Sequence, residues 1–286
     1  MENALLRAFC KINLSLKLGR RRSDGYHEID TVMQTVSLHD EIIFRPTDGP
    51  SKMDISGLSG GISVSSDNLV MRALEKIKSV CGIERCFNIS LIKKTPSAAG
   101  LGGGSSDAAS VICLFGRMAG LEDCELSQIS AGLGSDIPFF CFGGRCRCSG
   151  RGEDVEPLED ITEKTVLILM PDFGISTAEA YSLWDRFIEN NPDYFHKGGN
   201  DFEKAIFPSY PFLPKIKDRL FELGASYASM SGSGSAMFGI FDSDSLFERA
   251  CSDVFLNSSG NIFKAVTIGR KRFLEEGVSL CSFRPL

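Results

Sequence analysis

Between Ala4 and Leu18 the apolar residues Ile12, Leu14, Leu16 and Leu18 alternate with Lys11, Asn13, Ser15 and Lys17, the period of a strand with one face buried. On that period Lys11, Asn13, Ser15 and Lys17 share the strand's other face. A second strand-like run covers Thr31 to Leu38, and Asp48 to Ser66, rich in Gly, Ser and Asp, reads as a variable hairpin or loop. Asn68 to Gly82 carries apolar residues at helical spacing and ends in glycine, which predicts a helix, and a strand follows over Phe87 to Lys93. A Gly-rich stretch then leads into a helix bearing Ala108, Ala109, Val111, Ile112, Leu114 and Phe115, and Ser127 to Leu133 predicts a shorter one.

Val155 to Asp160 sets Pro157 among acids and reads as a seam between two domains, residues 1–157 and 158–286. Beyond it the pattern predicts a strand over Val166 to Met170, a helix from about Thr177, its cap, to Asn190, and a helix opened by Asn200-Asp201-Phe202-Glu203. A helix over Ile216 to Leu223 ended by Gly224, a Gly/Ser turn entering an apolar strand, a helix over Leu246 to Phe255 and a strand over Lys264 to Ile268 complete the chain. With no repeat in the sequence, the fold class is α/β (α+β type): two domains with a cleft between them.

The chemistry concentrates in Pro96-Ser97-Ala98-Ala99-Gly100-Leu101-Gly102-Gly103-Gly104-Ser105-Ser106. Four glycines in five residues let a backbone turn tightly and approach a ligand, and Ser105-Ser106-Asp107 are N-cap residue types ahead of a helix. Such a loop delivers N–H groups to an anion, whereas a Gly/Ser linker needs no caps leading into an apolar helix. It is not a Walker A loop, because Gly-Lys-Ser/Thr occurs nowhere in the chain. Asp136 is a lone carboxylate between a Gly-Ser turn and the apolar Ile137 to Phe142, either a helix N-cap or a functional group. Tyr26 and His27 follow an Asp-Gly turn, and Arg145, Arg147 and Arg151 between Gly143 and Gly152 are either a basic patch or a solvated hairpin.

Composition narrows the classes. The 286 residues, 43% hydrophobic, suffice for a large core, and a net charge of −6 with pI near 5.3 argues against nucleic-acid or anionic-membrane partners. No apolar run approaches a membrane span and the N-terminus lacks a signal pattern, so a cytoplasmic protein is expected. Ten cysteines lie in apolar context without a Cys-x-x-Cys pair, which predicts buried free thiols in a reducing compartment.

Lys11-Ile12-Asn13-Leu14, Asp24-Gly25-Tyr26-His27, the Gly-rich loop, Gly134 to Pro138, Gly199-Asn200-Asp201 and Met230 to Ser235 follow the order and spacing of one family. The chain resembles the GHMP kinases, and within them those whose acceptor is a cytidyl-linked alcohol. The resemblance implies a two-domain kinase fold with its active site in the cleft, ATP with Mg2+, and small-molecule partners only, as a monomer or homodimer. It implies Lys11 and Asp136 as catalytic residues and residues 96–106 on the ATP phosphates, with Ser105 and Ser106 as hydroxyl donors or magnesium-side ligands. It places Asn13 in the active site, stacks Tyr26 and Tyr181 on opposite faces of cytosine, and sets His27 on the base edge. Metal ligands stay unassigned. Where the family commonly has glycines, this chain has Ala98-Ala99, for which ordinary torsions are expected. A kinase for homoserine or mevalonate would share the loop but not need the Asp24 to His27 turn.

Overall fold

The structure, a computed structural model, describes residues 3–58 and 67–279. Its first half comprises β1 (Ala4–Arg21), β2 (His27–Thr47), β3 (Lys52–Gly57), α1 (Leu69–Cys81), β4 (Cys86–Lys93), α2 (Gly103–Met118), α3 (Asp123–Ala131), α4 (Phe139–Phe142), β5 (Arg145–Ser149) and β6 (Asp154–Pro157). The second comprises β7 (Thr165–Pro171), α5 (Thr177–Asn190), α6 (Phe202–Ile206), α7 (Phe212–Glu222), β8 (Tyr227–Met230), β9 (Met237–Phe241), α8 (Asp244–Cys251), α9 (Val254–Ser258), β10 (Gly260–Val266), α10 (Arg270–Gly277) and β11 (Val278–Ser279).

Two sheets organise these elements. The first runs β11-β1-β2-β4-β3, with β5 on β2 and β6 on β5, and the second is antiparallel, β10-β7-β9-β8. Buried residues of β2, β4, α1 and α2, such as Phe44, Phe87, Leu74 and Phe115, form one core. Trp184, Ile216 and Leu220 belong to another on the second sheet. Between them Cys10, Ile12, Val36 and Leu101 pack with Val166, Ile168, Phe238 and Ile240, so the two sheets share apolar surface. The last described stretch, α10 and β11, returns to the first sheet beside β1.

Several expectations are corrected. Part of Asp48 to Ser66 is β3, paired parallel with β4, and residues 59–66 lie outside the described residues. Lys11 and Asn13 do not share a face with Ser15 and Lys17: the register slips between Asn13 and Ser15, and the extra residue of that bulge reverses the alternation. Both faces of β1 are covered from Ala8 to Asn13, so its period does not mark an exposed side there. Helix α2 starts at Gly103 with Gly102 as its N-cap, which puts Ser105, Ser106 and Asp107 inside the helix. Helix α3 starts at Asp123, earlier than Ser127, through a capping box of Glu122 and Glu125. Ser176, not Thr177, caps α5 by accepting from Glu179 N. The helix expected over Leu246 to Phe255 is two, because the Asp253 side chain caps α9. Of the nine described cysteines, all free, Cys124 is exposed.

Candidate active site

A cavity of about 640 Å³ opens between the sheets, and it is lined by every expected site residue except Ser106. β1 enters it with Lys11 and Asn13, and after the bulge Leu16 follows them, whereas Ser15 and Lys17 do not. The Lys11 ammonium is buried, donates to Asn13 Oδ1 at 2.6 Å and lies 3.7 Å from Asp136 Oδ2. Asn13 is itself oriented, its Nδ2 donating to Thr31 Oγ1 at 2.8 Å while the Thr31 hydroxyl donates to Ser15 O at 2.6 Å. A buried cation is tolerated only with such partners.

Asp136 sits in the turn between α3 and α4, its side chain about one-third exposed at 37%. It does not cap α4, whose N-cap is Pro138 with no side-chain bond, and Lys11 is its ion-pair partner among the described residues. A carboxylate held loosely against a buried ammonium, with its oxygens open to the cavity, can accept a proton from a bound hydroxyl.

The Gly-rich loop is tied on both sides. Lys11 N donates to Leu101 O at 2.9 Å, and Ser231 Oγ donates to Gly100 O at 2.9 Å. Gly100 and Gly102 have φ of +71° and +70°, and a Cβ at Gly100 would lie 2.0 Å from Ser231 O. Ala98 also has positive φ, +52°, against the ordinary torsion expected of an alanine. Gly104 faces open space, room for a ligand to approach the start of α2. Ser105 lines the cavity. Ser106 does not: its hydroxyl donates to Phe9 O at 2.5 Å and its N–H to Gly102 O at 2.8 Å, so it fastens α2 to β1 and has no donor left for a phosphate.

Three charged residues under the loop escaped the sequence reading. Lys93 Nζ donates to Asp40 Oδ2 and, at 2.7 Å, to Asp107 Oδ2, while Asp40 Oδ1 accepts from Lys94 N and Thr95 N. Burial pushes Asp107 up to about 8; the Lys93 ammonium pulls the other way and the Asp40 charge adds to the rise. Burial works against the Lys93 charge, but the two carboxylates outweigh it and raise that group. The signal available was Lys93 ending an apolar strand just ahead of the loop.

At the other end Tyr26 is exposed, with the Arg151 guanidinium 5.0 Å from its ring centroid. His27 is buried, and its Nε2 lies 2.6 Å from Asp185 Oδ1. Tyr181 lines the same cavity, where its ring stacks on His27 at 4.8 Å and 19° and meets Phe202 edge-on at 5.0 Å. Arg145 to Arg151 span a hairpin in which Arg147 forks onto Asp30, and of its three arginines Arg151 alone lines the cavity. Among the described residues no three His, Cys, Asp or Glu side chains converge as metal ligands, and no helix is long and apolar enough to cross a membrane.

Residues 68–144 match the GHMP kinases N terminal domain and residues 180–256 the GHMP kinases C terminal model. The 4-diphosphocytidyl-2-C-methyl-D-erythritol kinase of Thermodesulfovibrio yellowstonii is 35% identical over 266 residues, 85% of this chain and 92% of the relative. That of Solibacter usitatus is 36% identical, covering 95% and 91%. A crystal structure of 4-(cytidine 5'-diphospho)-2C-methyl-D-erythritol kinase superposes with TM-score 0.76 at 29% identity, over 93% of this chain and 99% of that one. A homoserine kinase from Cytophaga hutchinsonii shares the fold, TM-score 0.72 at 17% identity, covering 98% and 97%.

Proposed function

The chain belongs to the GHMP kinase family, and from that premise we propose that it transfers the γ-phosphoryl group of ATP to the 2-hydroxyl of 4-diphosphocytidyl-2-C-methyl-D-erythritol, a step of non-mevalonate isoprenoid biosynthesis. The observation that carries it is the Lys11–Asp136 pair, 3.7 Å apart, in one cavity with the Gly-rich loop and with Tyr26, His27 and Tyr181.

Phosphoryl transfer asks a protein for positioning and charge stabilisation. The loop N–H groups and the start of α2 receive the ATP phosphates, with room left at Gly104. Asp136 takes the proton of the acceptor hydroxyl, and the Lys11 ammonium, held by Asn13, stabilises the oxygen as it attacks. Mg2+ would neutralise phosphate charge; with no converging protein ligand set among the described residues, it fits as an ion carried on the nucleotide, with Ser105 and Asp136 among the oxygen donors lining the cavity. Tyr26, His27 and Tyr181 form the cytidyl end. The acidic chain, net −6, suits a cytoplasmic enzyme acting on small molecules rather than on nucleic acid or membrane.

ATP consumption measured with and without the cytidyl substrate tests the reading. Turnover that depends on the cytidyl compound supports it; turnover with homoserine or mevalonate and none with the cytidyl compound refutes it.

A further inference from the structure

Helix α5 presents Tyr181 and Asp185 four residues apart, on one face, and both reach the same ring. Tyr181 covers a face of His27 at 4.8 Å, and Asp185 Oδ1 lies 2.6 Å from His27 Nε2. The ring opens β2 on the first sheet, so its orientation is set from the other half of the molecule. A carboxylate only accepts hydrogen bonds. The Nε2 atom therefore carries the proton, and in the neutral ring Nδ1 is left with a lone pair. Nδ1 has no partner among the described residues, and His27 lines the cavity.

We propose, taking the cytidyl substrate as given, that Asp185 is a positioning residue that sets base specificity by holding His27 in the Nε2–H tautomer, with Nδ1 accepting from the exocyclic amine of cytosine. Uracil has a carbonyl oxygen at that position. Two lone pairs would then face each other in a desolvated pocket, so the same geometry that binds cytosine rejects uracil. Neither Asp185 nor this division between attraction and repulsion follows from the stacking contacts, because both bases offer a similar ring face to Tyr26. Asp185→Asn removes the constraint, since an amide can donate to Nε2 and release the proton to Nδ1.

Two measurements test this. Long-range 15N–1H spectra of the free protein report the tautomer of His27 directly: protonation at Nε2 alone in the native chain is expected, and a proton on Nδ1 overturns the proposal whatever the substrate proves to be. Kinetics with the cytidyl substrate and its uridyl analogue give the second. In Asp185→Asn the ratio of kcat/KM for cytidyl over uridyl falls about tenfold or more, through KM of the cytidyl compound, with KM for ATP unchanged. A merely structural role would weaken both bases alike and leave the ratio intact, which overturns the proposal. Absence of cytidyl-dependent turnover in the native chain, with Nε2 protonated as expected, would instead count against the kinase reading.

Discussion

Lys11 and Asp136 act on one hydroxyl in the proposed reaction, so their substitutions should be coupled. Asp136→Asn is expected to lower kcat by about 10²- to 10⁴-fold while KM for both substrates stays within a few-fold, as steady-state kinetics will show. Lys11→Met should behave similarly, and the double variant should fall short of the product of the two losses; full additivity would place the residues in separate roles. The sequence singled these two out through an order of motifs that resembles the GHMP kinases, with Lys11 on the polar side of an alternating strand and Asp136 between a Gly-Ser turn and an apolar run. Ser105 and Ser106 were not separable, since identical neighbours on a helix differ only in direction, and direction depends on where the helix begins. The structure separates them. Ser106→Ala should cost about 1 kcal/mol of stability by denaturant unfolding, through the lost bond to Phe9 O, and leave KM for ATP alone. Ser105→Ala should do the reverse, and equal effects from both would contradict the placement.

At the scale of elements, the Gly-rich loop holds glycines for two different reasons. Gly100 needs its positive φ and has no room, so Gly100→Ala must displace Ser231 and should lower Tm, with a torsional cost alone of about 1 to 2 kcal/mol. Gly104 has open space, so Gly104→Ala should keep Tm and raise KM for ATP, because the methyl group takes room meant for phosphate. Lost ATP affinity with Gly104→Ala in a destabilised protein would remove that distinction. Amphipathic α1 and α5 were readable from their apolar spacing, and the local β5–β6 hairpin was one of two readings of its arginine-bearing stretch, whereas short β3 was not readable, because its partner β4 lies beyond α1 in the sequence. The triad of Asp40 on β2, Lys93 on β4 and Asp107 on α2 was invisible for the same reason, and it carries a pH dependence. Asp107 is raised from the ordinary 3.8 to about 8, so burying its neutral form favours folding below the lower value and that contribution is lost as pH rises through the upper one. Native stability should therefore decline by this group between pH 3.8 and about 8 and level off above that, and Asp107→Asn should flatten the decline; parallel Tm–pH curves for the two proteins would show that the carboxyl ionises freely.

For the whole molecule the question is whether two sheets make two independent bodies. Domains joined by a small polar interface move and melt separately by default. Here the join is apolar: Cys10, Ile12 and Val36 of the first sheet pack with Val166, Ile168 and Phe238 of the second. Polar bonds cross it as well, from Tyr227 Oη to Leu14 O at 2.7 Å and from Gln34 Nε2 to Ile268 O at 2.9 Å. Bridges between Leu16 and Asn200 and between Val36 and Thr267 extend the long strands toward the other half. Asn200, whose Nδ2 donates to Met230 O and Gly232 O, links the end of β1 to the turn that backs the Gly-rich loop. Losing either sheet would strip apolar cover from the other, so the chain should unfold in one cooperative calorimetric transition, matched by far-UV circular dichroism. Ile12→Ala, fully buried in the shared core, should lower that single Tm through a loss of about 2 to 5 kcal/mol without splitting the transition. A nucleotide bound in the cleft should move the same transition upward as a unit, since it binds only the folded assembly. Two resolved transitions, with the nucleotide shifting one of them, would mean that the shared core is too weak to couple the halves and that the cleft is assembled by ligand rather than by the fold.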